Sequence, residues 1–306
     1  MKILETKVLT VICVLSFISA ASPRLLSAQA AGALKVPSYQ DWVAPANKGD
    51  AESAFMLGMA YYYSMYGAKH DNRQARQWFL KAANSGSVRA CTVLGDMYYF
   101  GKGVRASKAG AMKWYLRGAE KGNAEAQEKL ADMLYYGEAV KRDYAGAAKW
   151  YRKAAETGPE SGPAAKLGRM YLLGEGVKLD YPEALKWFLK AESMGDKQSS
   201  VYVAEIYRAG RGMKKDLGKA AEWLIKGSVH GDVVAMHRLA EAYSAGEGVR
   251  RDYTEAYKWL AVVISKEANA PAELLLKQTS QKMSAGELDA AKKEASKLVR
   301  KYSANN

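Results

Sequence analysis

Small, apolar and aromatic residues recur four positions apart along most of the chain. Ala90, Leu94 and Tyr98 are one example, and this spacing places all three side chains on one face of a helix. The segment then reaches Gly101-Lys102-Gly103-Val104, and a glycine just past a helix end supplies the left-handed residue that closes the helix. A second run with helical spacing follows each turn. The pattern therefore predicts pairs of helices joined by glycine turns.

The second helix of each predicted pair opens on a polar residue suited to capping. Four of these residues are aspartates, whose carboxylates can accept hydrogen bonds from the free amides of the first turn: Asp143, Asp180, Asp216 and Asp252. Glu183 and Glu255 follow two of them at the spacing of a capping box. An alanine stands three residues before each tryptophan from Trp78 onward, so a small side chain and an indole share the face that packs on the first helix.

The seven tryptophans give the length of the unit. They stand at positions 42, 78, 114, 150, 187, 223 and 259, with gaps of 36, 36, 36, 37, 36 and 36 residues. A fixed period of this size is typical of solenoids, because a hairpin of about 36 residues cannot bury its apolar face alone. The 306 residues alone would favour about two domains of roughly 150 residues. The period instead predicts an all-α, right-handed superhelical solenoid of stacked helix hairpins.

The repeated residues resemble the Sel-one-like repeat, a relative of the tetratricopeptide repeat. The best match runs from Ala90 to Ala119, and the resemblance covers about residues 49–266. It implies a non-enzymatic scaffold that presents a concave helical surface to a protein or peptide, in envelope assembly, signalling or host interaction. One cysteine-rich branch of the family has reported penicillin-binding or weak β-lactamase activity. This chain lacks those cysteines, so the resemblance does not carry that activity over. A cell-wall-associated (β-lactamase-like or penicillin-binding) enzyme or enzyme accessory protein is the alternative hypothesis, with these relatives as its precedent.

We expect six repeats, preceded by a signal peptide and a half-repeat and followed by a helical cap. The predicted boundaries are a signal peptide (1–30), a leading half-repeat (31–48), repeats 1 to 6 (49–85, 86–121, 122–157, 158–194, 195–230 and 231–266) and a helical cap (267–306). Within the cap, Ser284 and Glu287 have capping-box spacing and predict a final helix that ends near Tyr302.

Residues 1–30 have the organisation of a signal peptide. Lys2 and Lys7 precede an apolar run, and Ala28-Gln29-Ala30 provides small residues at a cleavage site. The apolar run of about 14 residues is shorter than the roughly 20 that a spanning helix needs. We therefore expect an exported chain, periplasmic or secreted, with cleavage near Ala30 and no membrane span in the mature form.

Positive charge is arranged in rows. The formal net charge of +14 becomes +12 if residues 1–30 are removed. Basic residues directly after the turns form what we call the basic ridge: Arg105, Lys141, Arg142, Lys178, Lys214, Lys215, Arg250 and Arg251. The ridge is either a solvated edge that keeps the array soluble or an electrostatic surface for an acidic protein, anionic lipid or envelope polymer. Nucleic acid is not expected as a partner of an exported chain.

A second basic row follows each tryptophan by three residues: Lys81, Arg117, Lys153, Lys190 and Lys226.

Extra aromatic residues are confined to the first three repeats. They form three aromatic pairs at the ends of first helices: Tyr62-Tyr63, Tyr99-Phe100 and Tyr135-Tyr136. Later repeats have Leu172-Leu173, Arg208-Ala209 and Ser244-Ala245 in the same places. Tyrosine is enriched at interfaces, so the pairs line a ligand groove or pack in the core, and both interpretations stay open.

Candidate chemistry is sparse. The chain has no phosphate-binding loop, dinucleotide fingerprint or nucleophile elbow. His230, Asp232 and His237 come nearest to a metal site, but surface histidines are the expected role. Once residues 1–30 are removed Cys91 is the one thiol, which predicts a small buried residue. We expect no catalytic residues, no cofactor and no bound metal. The partner's identity and the oligomeric state stay open.

Overall fold

A computed structural model of the protein describes residues 37–303. The predicted signal peptide and its cleavage site near Ala30 lie outside these residues. Within 37–303 the regular elements are helices, and no strand occurs. The described part of the chain divides after Gly86 into two compact units, 37–86 and 87–303.

The first unit contains one complete hairpin and a leading segment. Its elements are a 3-10 helix (Tyr39–Trp42), α1 (Val43–Asn47), α2 (Ala51–Tyr63) and α3 (Asn72–Asn84). Trp42 packs edge-on against Tyr66 with ring centroids 4.9 Å apart. The amide of Tyr39 donates to the Tyr66 carbonyl at 3.0 Å. The leading segment therefore packs on the turn of the α2/α3 hairpin and is hydrogen-bonded to it.

The second unit contains five hairpins and two terminal helices. Its elements are α4 (Val88–Phe100), α5 (Lys108–Glu120), α6 (Ala124–Tyr136), α7 (Tyr144–Thr157), α8 (Gly162–Leu173), α9 (Tyr181–Ser193), α10 (Ser199–Ala209), α11 (Leu217–Val229), α12 (Val233–Ala245), α13 (Tyr253–Lys266), α14 (Ala270–Ser280) and α15 (Ala285–Ser303). Within this unit the second helix of each hairpin also packs on the first helix of the next. The arrangement is that of an all-α helical-repeat solenoid, as the tryptophan period predicts.

The helix ends follow the predicted chemistry except at the two predicted capping boxes, Asp180/Glu183 and Asp252/Glu255, neither of which closes. Asp180 caps α9 by accepting a hydrogen bond from the Glu183 amide at 2.9 Å. The reciprocal bond of the capping box is absent, because the Asp180 amide already donates to the Tyr171 carbonyl at 3.1 Å. The Glu183 carboxylate pairs instead with Lys186 at 3.2 Å. The cap amide thus ties the second helix back to the first.

Glycine and aromatic residues complement each other inside the hairpins. A Cβ at Gly58 would lie 2.5 Å from the Phe79 ring, and one at Gly168 would lie 2.9 Å from Phe188. The side chains that fill these spaces are fully buried. In the last two hairpins alanine takes the glycine position and leucine takes the aromatic position opposite it. The pairs are Ala204 with Leu224 and Ala240 with Leu260, so a smaller side chain fills a smaller space.

The terminal helices cover the last hairpin. Helix α15 packs on α13, and Tyr302 is buried beside Trp259 at 6.1 Å between ring centroids. Ser284 and Glu287 form the predicted capping box, in which the Ser284 amide donates to the Glu287 carboxylate at 2.8 Å and the Glu287 amide donates back to Ser284 Oγ at 3.3 Å. The apolar face of α13 is therefore closed by the chain's own terminal segment.

Candidate binding surface

The two residues of each aromatic pair differ in exposure. Phe100 and Tyr136 are 63% and 61% exposed, whereas Tyr99 and Tyr135 are half-buried. Each exposed ring packs edge-on against its neighbour, with centroids 4.9 and 5.0 Å apart. The pairs end α4 and α6, where the glycine turn begins, so the second ring projects beyond the hairpin core.

The first unit has its own aromatic pair at the end of α2. Tyr63 is 57% exposed and Tyr62 is half-buried, with centroids 4.8 Å apart. Tyr62 also packs against Phe79 of α3 at 6.3 Å. This pair has the same division between a supporting ring and an exposed ring.

The half-buried tyrosines join neighbouring hairpins through their hydroxyls. Tyr99 donates to Glu138 at 3.0 Å, and Lys108 donates to the same carboxylate at 2.9 Å. Tyr135 donates to Glu175 at 2.7 Å. Both glutamates occupy the middle of a turn in the following repeat. The first residue of each of these pairs therefore holds the turn of the next hairpin.

These contacts shift the titration of the groups involved. Burial and the hydrogen bond to Glu175 raise the pKa of Tyr135 to about 12. Burial alone would raise the pKa of Glu138, but hydrogen bonds from Lys108 and Tyr99 outweigh it and the pKa lies below its usual value. Tyr99 and Tyr135 therefore stay neutral and Glu138 stays ionised over the neutral pH range.

Charged residues on the first helices form a ladder between repeats. Lys129 pairs with Asp96 at 3.2 Å, and Lys166 pairs with Asp132 at 2.7 Å. Arg238 and Glu205 hold the same positions two repeats later at 3.9 Å. The acids are also hydrogen-bonded from within their own hairpin: Tyr115 donates to Asp96 at 2.6 Å, and Tyr151 donates to Asp132. Most of the charge on this face is therefore internally paired.

The basic ridge differs from the ladder because its charges are unpaired. All eight side chains are exposed, and within residues 37–303 none forms an ion pair with a carboxylate. Arg142 lies 5.5 Å from the Tyr144 ring and donates to its hydroxyl at 3.1 Å. The ridge is thus a strip of solvated positive charge along the turns of the second unit.

The second basic row is occupied in packing. Each of its cations lies over the tryptophan three residues earlier, at distances to the ring centroid between 4.2 Å (Lys153 on Trp150) and 5.5 Å (Lys190 on Trp187). The other members, Lys81, Arg117 and Lys226, lie at 5.2, 5.3 and 4.8 Å. These residues shield indole faces, and Lys226 also pairs with Glu192 of the preceding repeat at 2.7 Å.

Two open cavities border the C-terminal part of the ridge. Lys214, Lys215 and Lys219 line one of about 740 Å³ together with Tyr207. Arg250 and Arg251 line another of about 710 Å³, which Tyr243 and Glu287 also border.

The residues that the sequence suggested for metal binding or thiol chemistry include a helix cap, an exposed histidine and a buried cysteine. Asp232 caps α12 by accepting from the Ala235 amide at 2.7 Å, and His230 is exposed. Cys91 is buried as predicted, and burial raises the pKa of its thiol. Across the described range 37–303, no group of three or more His, Cys, Asp or Glu side chains could hold a metal ion. No helix there combines the length and apolar character that a bilayer crossing requires.

Sequence patterns missed the acceptors of the aromatic pairs. Tyr99 and Glu138 are 39 residues apart, and Tyr135 and Glu175 are 40 apart. The sequence signal for these hydrogen bonds is the spacing: each turn glutamate follows its tyrosine by slightly more than one repeat length.

Comparison with known proteins identifies the repeats. The Sel1 repeat family model matches six segments: 51–87, 88–123, 124–159, 164–196, 198–232 and 233–261. The chain is similar in structure to a Sel1 repeat protein from Oxalobacter formigenes, with a TM-score of 0.60 and 30% identity over 74% of this chain and 93% of that one. It is also similar to a protective antigen displaying an SLR fold, present in uropathogenic Escherichia coli strains (TM-score 0.53, 27% identity, 86% and 64% coverage).

A curated relative matches over a short stretch. It is the ERAD-associated E3 ubiquitin-protein ligase component HRD3A of Arabidopsis thaliana, 38% identical over 58 residues. The match spans 19% of this chain and 9% of that protein, so it covers fewer than two repeats. With six matched repeats and a solved homologue aligned over most of its length, the chain belongs to the Sel1 repeat family.

Proposed function

We propose that the protein is a non-enzymatic scaffold that binds a protein partner on the face formed by its first helices and turns. Sel1 repeat proteins typically mediate protein–protein interactions. The observation that carries the proposal is the exposure of Phe100 and Tyr136 on half-buried tyrosines that are themselves hydrogen-bonded to the next repeat. These rings are presented in fixed positions before any partner arrives.

Fixed exposed aromatics suit recognition of a protein surface. An aromatic side chain offers a large contact area, and it loses little conformational entropy on binding when it is already held by a neighbour. The adjacent ladder of paired charges supplies hydrogen-bonding groups beside the rings. This combination of aromatic anchors and polar surroundings is typical of protein interfaces.

The basic ridge supports an acidic partner. Its eight cations have no acidic neighbour within ion-pairing distance in the described part of the chain, so a carboxylate-rich surface would meet them without displacing an internal ion pair. We take the ridge as the electrostatic part of the docking surface and the exposed aromatic rings as its apolar part.

Export is part of the proposal. The charged start, short apolar run and small-x-small motif in residues 1–30 support it, and they favour a role in envelope assembly, signalling or host interaction. Mass spectrometry of the intact protein from the exported fraction tests this directly. A mature chain beginning near Ala31 is expected, whereas a chain that keeps residues 1–30 contradicts export by cleavage.

The binding proposal is tested by quantitative capture. Wild-type protein and the Phe100→Ala/Tyr136→Ala variant are used as baits, with Leu116→Ala as control because Leu116 is 39% exposed on a second helix. Partners should be lost from the double variant and kept by the control. Equal capture by all three baits would remove the aromatic rings from the binding surface. A nitrocefin assay on the same protein checks the non-enzymatic part, and saturable hydrolysis would contradict it.

A further inference from the structure

Three of the four junctions between hairpins in the second unit have an aromatic residue at the Tyr151 position of the second helix. The fourth has Leu224 there, beside which Tyr207, Trp223 and Tyr243 pack. Tyr99 and Tyr115 lie at the α4/α5 to α6 junction, and Tyr135 and Tyr151 lie at the α6/α7 to α8 junction with centroids 6.5 Å apart. At the α8/α9 to α10 junction, Phe188 stacks on Tyr202 at 4.6 Å with the rings 7° from parallel. The next junction contains no aromatic side chain at these positions.

That junction, formed by α10, α11 and α12, encloses a cavity of about 260 Å³. The cavity is open on one side. Its floor consists of small and aliphatic side chains (Leu217, Ala220, Ala221, Leu224, Ala242 and Ala245), and its rim carries the charged residues Glu205, Arg208, Arg238, Glu241 and Glu247. Ala220, Ala221 and Leu224 are at most 5% exposed. An apolar cavity of roughly 150 Å³ accommodates benzene, so this one has room for a substituted aromatic ring.

Comparison with the self-filled junction two repeats earlier shows what the cavity lacks. Leu217 and Leu224 stand where that junction has Tyr144 and Tyr151, and Ala245 stands where it has Leu173. Arg208 stands where it has Tyr135. The Arg208 guanidinium is drawn back to Glu205 on its own helix at 2.7 Å. Smaller side chains therefore take the places of the tyrosine rings of the earlier junction, and the cavity lies beside them.

The acceptor for a tyrosine hydroxyl is nevertheless present. Glu247 lines the cavity and occupies the turn position of Glu175, which accepts the Tyr135 hydroxyl at 2.7 Å. In the described part of the chain the Glu247 carboxylate makes no hydrogen bond or ion pair. The cavity thus combines an apolar floor the size of one ring with an unused carboxylate acceptor at its rim.

We infer that this cavity binds a tyrosine side chain of the protein partner. The inference rests on the proposed scaffold function and names one chemical feature of the partner. The incoming ring takes the place that Tyr135 and its neighbours fill two repeats earlier, and its hydroxyl donates to Glu247.

The first test uses p-cresol, the side-chain analogue of tyrosine, and methyl NMR of the purified protein. Saturable shifts of the Ala221 and Ala245 methyl groups are expected. Leu224→Tyr restores the ring found at Tyr151 and should weaken p-cresol binding at least about tenfold, because the cavity is then filled. Glu247→Ala should weaken it about tenfold by removing the charged acceptor. Absence of saturable shifts in the wild type would overturn the inference.

Matched variants separate cavity filling from misfolding. Ile225→Tyr adds the same side chain one position along α11, outside the cavity lining, and should bind p-cresol as the wild type does. Ala245→Leu copies Leu173 at an exposed position and should block the cavity without disturbing the core. If Leu224→Tyr fails to fold, Ala245→Leu decides the question.

The second test links the cavity to the partner. In the capture experiment, Leu224→Tyr and Ala245→Leu should lose the partners that Ile225→Tyr keeps. If both retain the partners while Phe100→Ala/Tyr136→Ala loses them, the scaffold function stands and the tyrosine inference is wrong. If none of the variants changes capture, the proposed binding face itself fails.

Discussion

The Tyr135 hydroxyl donates a 2.7 Å hydrogen bond to Glu175, forty residues later and one repeat further along. Tyr99 and Glu138 make the same connection at 3.0 Å. In both cases the exposed ring of the pair, Tyr136 or Phe100, packs edge-on against the tethered tyrosine. The rigidity of the candidate surface therefore depends on contacts between repeats.

Removing one of these hydroxyls should loosen the connection between hairpins. We expect Tyr135→Phe to lower the free energy of unfolding by about 1 kcal/mol, since the half-buried Glu175 is partly rehydrated when the bond is lost. Urea unfolding measures the effect. Tyr136→Phe is the control, because the exposed Tyr136 hydroxyl has no hydrogen-bond partner in the described part of the chain. Equal losses in the two variants would show that the Glu175 bond contributes nothing.

The Glu138 contact should make stability depend on acid pH. Hydrogen bonds from Lys108 and Tyr99 outweigh burial and hold the pKa of Glu138 below its usual 4.5 in the folded protein. A depressed folded pKa stabilises the protein above the unfolded value, and this stabilisation disappears as pH falls through the folded pKa. Glu138→Gln should therefore be less stable than wild type at pH 7, and the difference should shrink below about pH 4.5.

The matched comparison for this pH profile is Glu160→Gln. Glu160 is exposed in the linker before α8 and has no hydrogen-bond partner among the described residues. Urea unfolding of both variants and of the wild type at pH 7, 5 and 3 gives the result. A Glu138→Gln difference that stays constant with pH would contradict the ionised hydrogen-bonded carboxylate.

Local chemistry made the hairpins predictable. The tryptophan period gives the repeat length, and the capping aspartates and closing glycines each act within about a dozen residues, so the sequence could place them; Asp216, for example, caps α11 through the Lys219 amide at 2.9 Å. The capping boxes at Asp180 and Asp252 were predicted wrongly, because spacing alone does not show that the cap amides are already bonded to Tyr171 and Tyr243.

Contacts across a junction were not predictable in the same way. Which member of the Tyr135–Tyr136 pair is exposed depends on where the next hairpin lies, and neighbouring helix positions give no preference by themselves. The empty space near Leu224 arises because small residues from three helices meet there, which no single helix reveals. The roles of the aromatic pairs and the basic ridge in binding stay predictions.

The turn of the third repeat contains a strained residue. Ala139 has a φ of +66°, while Gly176 and Gly212 hold the equivalent position at +69° and +71°. A non-glycine residue in this left-handed region costs about 1 kcal/mol or more. We expect Ala139→Gly to raise the free energy of unfolding by about 0.5–1 kcal/mol, after allowance for glycine's greater unfolded-state entropy.

The reverse substitution at Gly176 should be more costly than strain alone. A Cβ there would overlap the backbone of Tyr144 in the preceding repeat. Gly176→Ala is therefore expected to destabilise by about 2 kcal/mol or more, through strain and steric overlap together. Thermal and urea unfolding of the two variants test whether Ala139→Gly stabilises the protein and Gly176→Ala destabilises it. If Ala139→Gly is destabilising, the turn does not store strain at that residue.

The basic ridge predicts position-dependent binding of polyanions. Lys141→Glu/Lys178→Glu/Lys214→Glu reverses three ridge charges that are exposed and unpaired within the described chain. A charge-matched control reverses Lys113, Lys149 and Lys277, which are also exposed and without ion pairs there but lie outside the ridge. On immobilised poly-L-glutamate, the ridge variant should elute at about half the salt concentration of the control, because clustered charge gives a stronger local potential than scattered charge. If the two variants elute at the same salt concentration, the ridge is only a solvated edge. The proposal of an acidic partner would then lose its support.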